Sequence, residues 1–109
     1  MSLTIKDMLN MEGRTCLITG ACGKVGQALS FTLSEMDCNL VLLDHPNTNL
    51  KELKNQISKK FKNEVIFIAC DLESSKEIDK VRPFIEKNFN SLDVLINNAA
   101  FVGSSNLKG

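Results

Sequence analysis

Ile18-Thr19-Gly20-Ala21-Cys22-Gly23-Lys24-Val25-Gly26 decides how the rest of the chain reads. An apolar run, Cys16 to Ile18, enters this stretch, and an amphipathic segment, Val25 to Met36, leaves it. The order is strand, glycine loop, helix. Glycines let the backbone turn sharply and approach a ligand closely, and the first N–H groups of the following helix, with its dipole, then face an anion. The spacing is G-x-x-G-x-x-G, not the G-x-G-x-x-G of the usual dinucleotide fingerprint. On its own the stretch also fits a tight strand-to-helix turn that holds no ligand.

The same alternation of strand and helix repeats along the chain. Thr15 to Thr19 predicts a first strand, apolar throughout, as a parallel strand covered on both faces should be. A helix over about 23–36 carries Val25, Leu29, Thr32, Leu33 and Met36 as its predicted inner stripe. Asn39 to Leu43 reads as a second strand that runs into Asp44; His45-Pro46 and the Asn47-Thr48-Asn49 cluster then break it and offer an N-cap. A second helix over about 49–61 places Leu50, Leu53, Ile57 and Phe61 inward and its lysines in water. Val65 to Cys70 is a third strand, followed by Asp71-Leu72. Ser74 and Glu77 have capping-box spacing ahead of a helix bearing Ile78, Val81, Ile85 and Phe89. Pro83 predicts a kink there or two shorter helices, and Asn90 a left-handed cap. Val94-Leu95-Ile96 is the fourth strand, ending in Asn97-Asn98-Ala99-Ala100, with Gly103 to Gly109 as loop.

The pattern β-α-β-α-β-α-β argues an α/β class: an open parallel sheet with helices on both faces, the first half of a doubly wound, Rossmann-type fold. Residues 1–13 read as an N-terminal arm with Leu3, Ile5, Met8 and Leu9 as contacts. Residues 14–109 read as the dinucleotide-binding segment, incomplete at its C-terminal end and a fragment of a larger domain. Ligands in such sheets bind beyond the carboxyl ends of the strands. The glycine loop, Asp44, Asp71 and Asn97-Asn98 all fall at those ends. Four motifs on one edge argue a ligand site more strongly than the loop alone.

Composition sets the outer bounds. A chain of 109 residues with 43% hydrophobic and 24% charged residues can build one small core. The formal net charge is zero, so no general attraction to nucleic acid or to an anionic membrane is expected. No apolar run reaches membrane-span length and no secretory signal pattern opens the chain, which predicts a cytoplasmic protein. Of the four cysteines, Cys16, Cys38 and Cys70 fall on predicted strands or their ends and read as small buried hydrophobes. No C-x-x-C occurs and His45 is the single histidine, so no metal site is expected. Cys22, at a helix N-terminus with Lys24 nearby, is the predicted reactive thiol.

With these residues in place the chain resembles the amino-terminal part of a short-chain dehydrogenase/reductase, over roughly residues 12–103. The likeness rests on Thr19-Gly20-x-x-Gly23-x-x-Gly26, Asp44, Asp71-Leu72, Leu92-Asp93-Val94-Leu95-Ile96 and Asn97-Asn98-Ala99-Ala100. Three departures stand out. Ala100 replaces the glycine of the family's N-N-A-G. The commoner loop, T-G-x-x-x-G-x-G, would put glycine at Lys24. Asp37 replaces a glycine often found between the first helix and the second strand. The loop spacing resembles the family's extended branch, which includes nucleotide-sugar epimerases and dehydratases, whereas the Leu92-to-Ala100 segment resembles its commoner branch.

The resemblance implies an oxidoreductase that moves hydride between a nicotinamide cofactor and a carbonyl or alcohol on a small-molecule substrate, as a homo-oligomer when full length. It implies a cofactor site with these members. Gly20, Cys22, Gly23, Lys24 and Val25 would wrap the pyrophosphate. Asp44 would accept the adenosine ribose hydroxyls, which favours NAD over NADP. Asp71 and Leu72 would hold the adenine, and Asn98, Ala99 and Ala100 the remaining ribose. Asp44 also fits a turn-forming role before His45-Pro46, and Asp71 a helix-capping one. The family's general acid or base is a tyrosine in Y-x-x-x-K beyond N-N-A-G. This chain contains no tyrosine, so no catalytic residue is assigned, and a non-catalytic dinucleotide-sensing module is a further reading.

Overall fold

The computed structural model describes residues 11–98. The predicted arm contacts Leu3, Ile5, Met8 and Leu9, together with Ala99, Ala100 and the loop from Gly103 to Gly109, lie outside the described residues. Four strands, β1 (Thr15–Thr19), β2 (Asn39–Asp44), β3 (Val65–Ala69) and β4 (Val94–Asn97), form one sheet in the order β3-β2-β1-β4. Every pairing is parallel, with Ile18 opposite Leu42 and Ile96, and Leu42 opposite Phe67. Four helices connect them: α1 (Lys24–Glu35), α2 (Leu50–Lys60), α3 (Ser75–Ile78) and α4 (Val81–Asn88).

The continuous apolar runs have the predicted cause. β1 is buried along its whole length and β2 through Leu40–Leu43, because both faces of these central strands are covered. One face packs Cys16, Ile18, Leu40 and Leu42 against Leu33 of α1 and Leu50, Leu53 and Ile57 of α2. The opposite face packs Leu17, Val41 and Leu43 against Ile85 of α4. Chain progression reverses direction across the sheet between β3 and β4, and crossovers of one hand therefore put the last connection on the other side. At the sheet edge, β4 is covered less completely, and Leu95 is 60% exposed.

Three local expectations are corrected. The buried face of α1 is Gly26, Ser30, Leu33 and Ser34, whereas Val25 and Thr32 are exposed. Small residues let this helix lie close to the sheet, and the Ser30 hydroxyl is satisfied inside the helix by donating to the Gly26 carbonyl at 2.7 Å. Chain reversal after α1 is made by Asp37 at φ 62°, the single non-glycine residue with positive φ among the described residues. Asn90 is therefore not left-handed; α4 ends as Phe89 turns extended, at φ −138°. The capping box is only half formed. Ser74 Oγ accepts the Glu77 N–H, but the Glu77 carboxylate accepts from the N–H of Asp71 instead of Ser74. Pro83 does divide the region into two helices, and it stands in the first turn of α4, where its missing N–H costs nothing.

Candidate functional site

The glycine loop leaves β1 at its carboxyl end. Gly20 adopts φ 66°, a conformation that side chains resist, and this starts the turn. Ala21 N–H donates to the Leu43 carbonyl at 3.2 Å, and Gly23 N–H to the Gly20 carbonyl at 3.1 Å. Gly26 closes the turn against its own start. A Cβ there would lie 2.1 Å from the Gly20 carbonyl oxygen, so a side chain cannot fit while the helix packs on the loop.

Gly23 differs from both. Its φ is −71°, and a Cβ added to it would meet nothing nearer than the Gly20 oxygen at 3.5 Å, an ordinary contact. Protein packing does not require glycine at this position; close approach of a ligand would. Gly23 is also the N-cap of α1, and it brings no side-chain cap. No acidic residue occupies the first turn of this helix. By contrast, Asn49 caps α2 by accepting the Glu52 N–H at 3.1 Å, and Ser74 caps α3. Without a cap, the first N–H groups of α1 are left to an anion, which the helix dipole stabilises by roughly 0.3–1 kcal/mol at an exposed site.

These groups line an open groove of about 530 Å³ with Gly20, Cys22, Gly23, Lys24, Val25, Asp44, Thr48 and Asn98. Asp44 is the last residue of β2. One of its carboxylate oxygens accepts the Cys22 N–H at 2.8 Å and the other the His45 N–H at 2.7 Å. An ionised carboxylate has about four acceptor positions, so Asp44 retains capacity for hydroxyl donors. Across the loop, the Thr19 hydroxyl donates to the Asn97 side-chain oxygen at 2.9 Å and accepts the Asn98 N–H at 3.0 Å. Asn97 and Asn98 thus fasten β4 to β1 beside the groove.

Seven of the predicted cofactor residues therefore meet: Gly20, Cys22, Gly23, Lys24, Val25, Asp44 and Asn98. Asp71 and Leu72 follow β3 and do not line this groove. The Asp71 carboxylate accepts the Glu73 N–H at 2.9 Å, a local turn bond. Thr48 is the member that sequence reasoning missed. Its hydroxyl donates to the His45 carbonyl at 2.7 Å, which closes the loop after β2 and turns Thr48 toward Cys22. The usable signal was a threonine at the end of a His-Pro-Asn turn.

Cys22 is the least buried of the four cysteines, but the helix-dipole argument for a lowered thiol pKa does not hold. Burial pushes its thiol pKa up and the Asp44 charge adds to this, outweighing the polar neighbours Thr48 and the Asn49 backbone, which favour thiolate. A raised pKa means less thiolate at any pH below it. Alkylation of Cys22 near pH 8 is accordingly expected to run slower than that of an unstructured cysteine peptide. Residue-resolved labelling checks this, and a faster rate at Cys22 would contradict it. The other three thiols are buried; a hydrogen bond with Cys38 together with burial raises Cys16, and burial raises Cys70.

Comparison with known proteins bears on this loop and edge together. The family model described as short chain dehydrogenase matches residues 14–108. The chain belongs to the short-chain dehydrogenase family. A short chain dehydrogenase/reductase of Macrophomina phaseolina is 28% identical over 102 residues, 94% of this chain and 58% of that protein. Among solved structures, L-sorbose reductase from Gluconobacter frateurii, in complex with NADPH and L-sorbose, superposes with a TM-score of 0.80 at 25% identity. The match covers 85% of this chain and 35% of the reductase. NAD+-bound xylitol dehydrogenase gives a TM-score of 0.77 at 28% identity, covering 84% of this chain and 35% of that one. The chain thus spans between about a third and three fifths of the length of these short-chain dehydrogenase relatives. No helix among the described residues is long and apolar enough to cross a membrane, and no group of three potential metal ligands occurs among them.

Proposed function

We propose that this chain supplies the nicotinamide-dinucleotide site of an NAD(P)-dependent oxidoreductase, and that it takes NAD in preference to NADP. One observation carries the reading: an uncapped helix N-terminus, a glycine that packing does not require and an acceptor-only carboxylate share one groove. The N–H groups opening α1 face the pyrophosphate, Gly23 gives it room, and Lys24 adds positive charge. Asp44 takes the adenosine ribose hydroxyls, flanked by Cys22 and Thr48. Asn98 stands in the wall of the groove and, with Ala99 and Ala100, takes the remaining ribose, while Asp71 and Leu72, outside this groove after β3, take the adenine. The nicotinamide, when bound, supplies the hydride acceptor or donor for a carbonyl or alcohol carbon on a small molecule. The family resemblance makes the full-length protein a homo-oligomer in the same reading, and a cytoplasmic location completes it.

Binding without turnover is the expected behaviour of the 109-residue chain, because it has no tyrosine to serve as the family's general acid or base. Calorimetric titration should detect NAD binding to the wild type, weakened about tenfold or more by Gly23→Ala, since a methyl group there would hold the pyrophosphate away from the backbone. Absence of NAD binding by the folded wild type would overturn the proposed function. Protein-dependent NADH formation from an alcohol panel, abolished by Gly23→Ala, would overturn the expectation of inactivity.

A further inference from the structure

Asp44 makes a bond that ribose binding does not need. Its carboxylate accepts the N–H of Cys22, the residue immediately before Gly23, at 2.8 Å. Cys22 belongs to a different connection from Asp44, and the bond ties the loop after β1 to the end of β2. Two other side chains hold the loop through its carbonyls, Gln27 Nε2 donating to Cys22 at 2.7 Å and Asn98 Nδ2 to Gly20 at 3.4 Å, and neither engages the Cys22 N–H. Gly20 and Gly23 lack side chains, and Gly20 occupies a region where glycine has other wells of similar energy. Two backbone bonds secure the loop on either side, Ala21 N–H to Leu43 and Gly23 N–H to Gly20. The Cys22 peptide lies between them. Asp44 is in turn fixed: its carbonyl accepts the Cys70 N–H at 2.8 Å, and its second carboxylate oxygen accepts the His45 N–H.

We propose that Asp44 is a positioning residue for the phosphate-binding loop, holding the Cys22 peptide so that Gly23 and the first turn of α1 are set for an anion before any ligand arrives. A hydrogen bond to an ionised acceptor is stronger than a neutral one, and ordering the loop in advance removes that cost from binding. Asp44 therefore supports affinity for the pyrophosphate, which it does not touch, as well as for the ribose. The proposal rests on the cofactor reading only for the identity of the anion.

Amide hydrogen exchange of the ligand-free chain tests the loop, and titration with inorganic pyrophosphate and with ADP-ribose tests the site. In Asp44→Ala, the Cys22 amide should exchange about tenfold faster or more, while Leu42 in β2 keeps wild-type protection. Pyrophosphate affinity should fall by a similar factor. Asp44→Asn keeps an oxygen for the Cys22 N–H and should restore both quantities most of the way. Unchanged Cys22 exchange in Asp44→Ala, or no rescue by Asp44→Asn, overturns the proposal. If Asp44→Ala also loses protection at Leu42, the wild type decides: a through-hydrogen-bond coupling between the Cys22 amide nitrogen and the Asp44 carboxyl carbon supports the proposal, and its absence overturns it. A wild type that binds neither ligand overturns the cofactor reading instead, and the exchange and coupling results still decide the role of Asp44.

Discussion

Gly26→Ala is expected to destabilise the chain by about 3 kcal/mol or more, at or beyond the upper end of ordinary overpacking. The added Cβ would sit 2.1 Å from the Gly20 carbonyl oxygen and 2.8 Å from the Ala21 Cα. Both neighbours are backbone, so neither can rotate away. Relief requires either lifting α1 off the sheet, which uncovers Leu33 and the buried Ser30 and Ser34, or opening the Gly20 turn. Gly23→Ala, three residues earlier, should cost about 1 kcal/mol or less. Its backbone is already in a region open to alanine, and a less flexible unfolded chain offsets the slightly poorer N-cap. Urea unfolding of the two variants beside the wild type gives the comparison. Equal midpoints for Gly26→Ala and Gly23→Ala would contradict the packing described for the loop.

Those two glycines also mark how far the sequence could be read. Spacing alone places both in the loop, but only coordinates separate the one that packing demands from the one it leaves open. The strands and their parallel class were legible because central parallel strands are covered on both faces and leave uninterrupted apolar runs, as Leu40–Leu43 does. The inner face of α1 was not, because the contact is made by Gly26, Ser30 and Ser34. Hydrophobicity scoring favours Val25 over them, yet proximity to the sheet favours small side chains. Within the site, Asp44 was legible from its place at a strand end. Thr48 was hidden because its position depends on a turn closed by its own hydroxyl. The raised pKa of Cys22 was hidden because it arises chiefly from burial, which a helix-dipole argument does not include.

NAD should bind this groove roughly 30- to 150-fold more tightly than NADP, equivalent to about 2–3 kcal/mol. The ribose of NAD offers hydroxyl donors to the remaining acceptor positions of Asp44. NADP replaces one donor by a phosphate, so a hydrogen bond is lost and like charges face each other. Two unit charges about 4 Å apart repel by roughly 4 kcal/mol at an effective dielectric near 20, and solvent and salt in so open a groove reduce this. Lys24 acts in the opposite sense, since it is exposed at the same groove and its ammonium attracts the extra phosphate. The balance still favours NAD, because Asp44 is fixed by its bonds to Cys22 and His45 whereas Lys24 ends a flexible, solvated stem. Dissociation constants for the two cofactors measure the ratio, and Asp44→Asn isolates its cause. Asparagine keeps an acceptor for the loop and removes the charge, so the ratio should fall toward unity, with most of the change in NADP binding. Lys24→Ala should move the ratio the other way by weakening NADP more than NAD. Tighter binding of NADP by the wild type would refute the preference, and an Asp44→Asn ratio equal to wild type would show that the carboxylate charge does not set it.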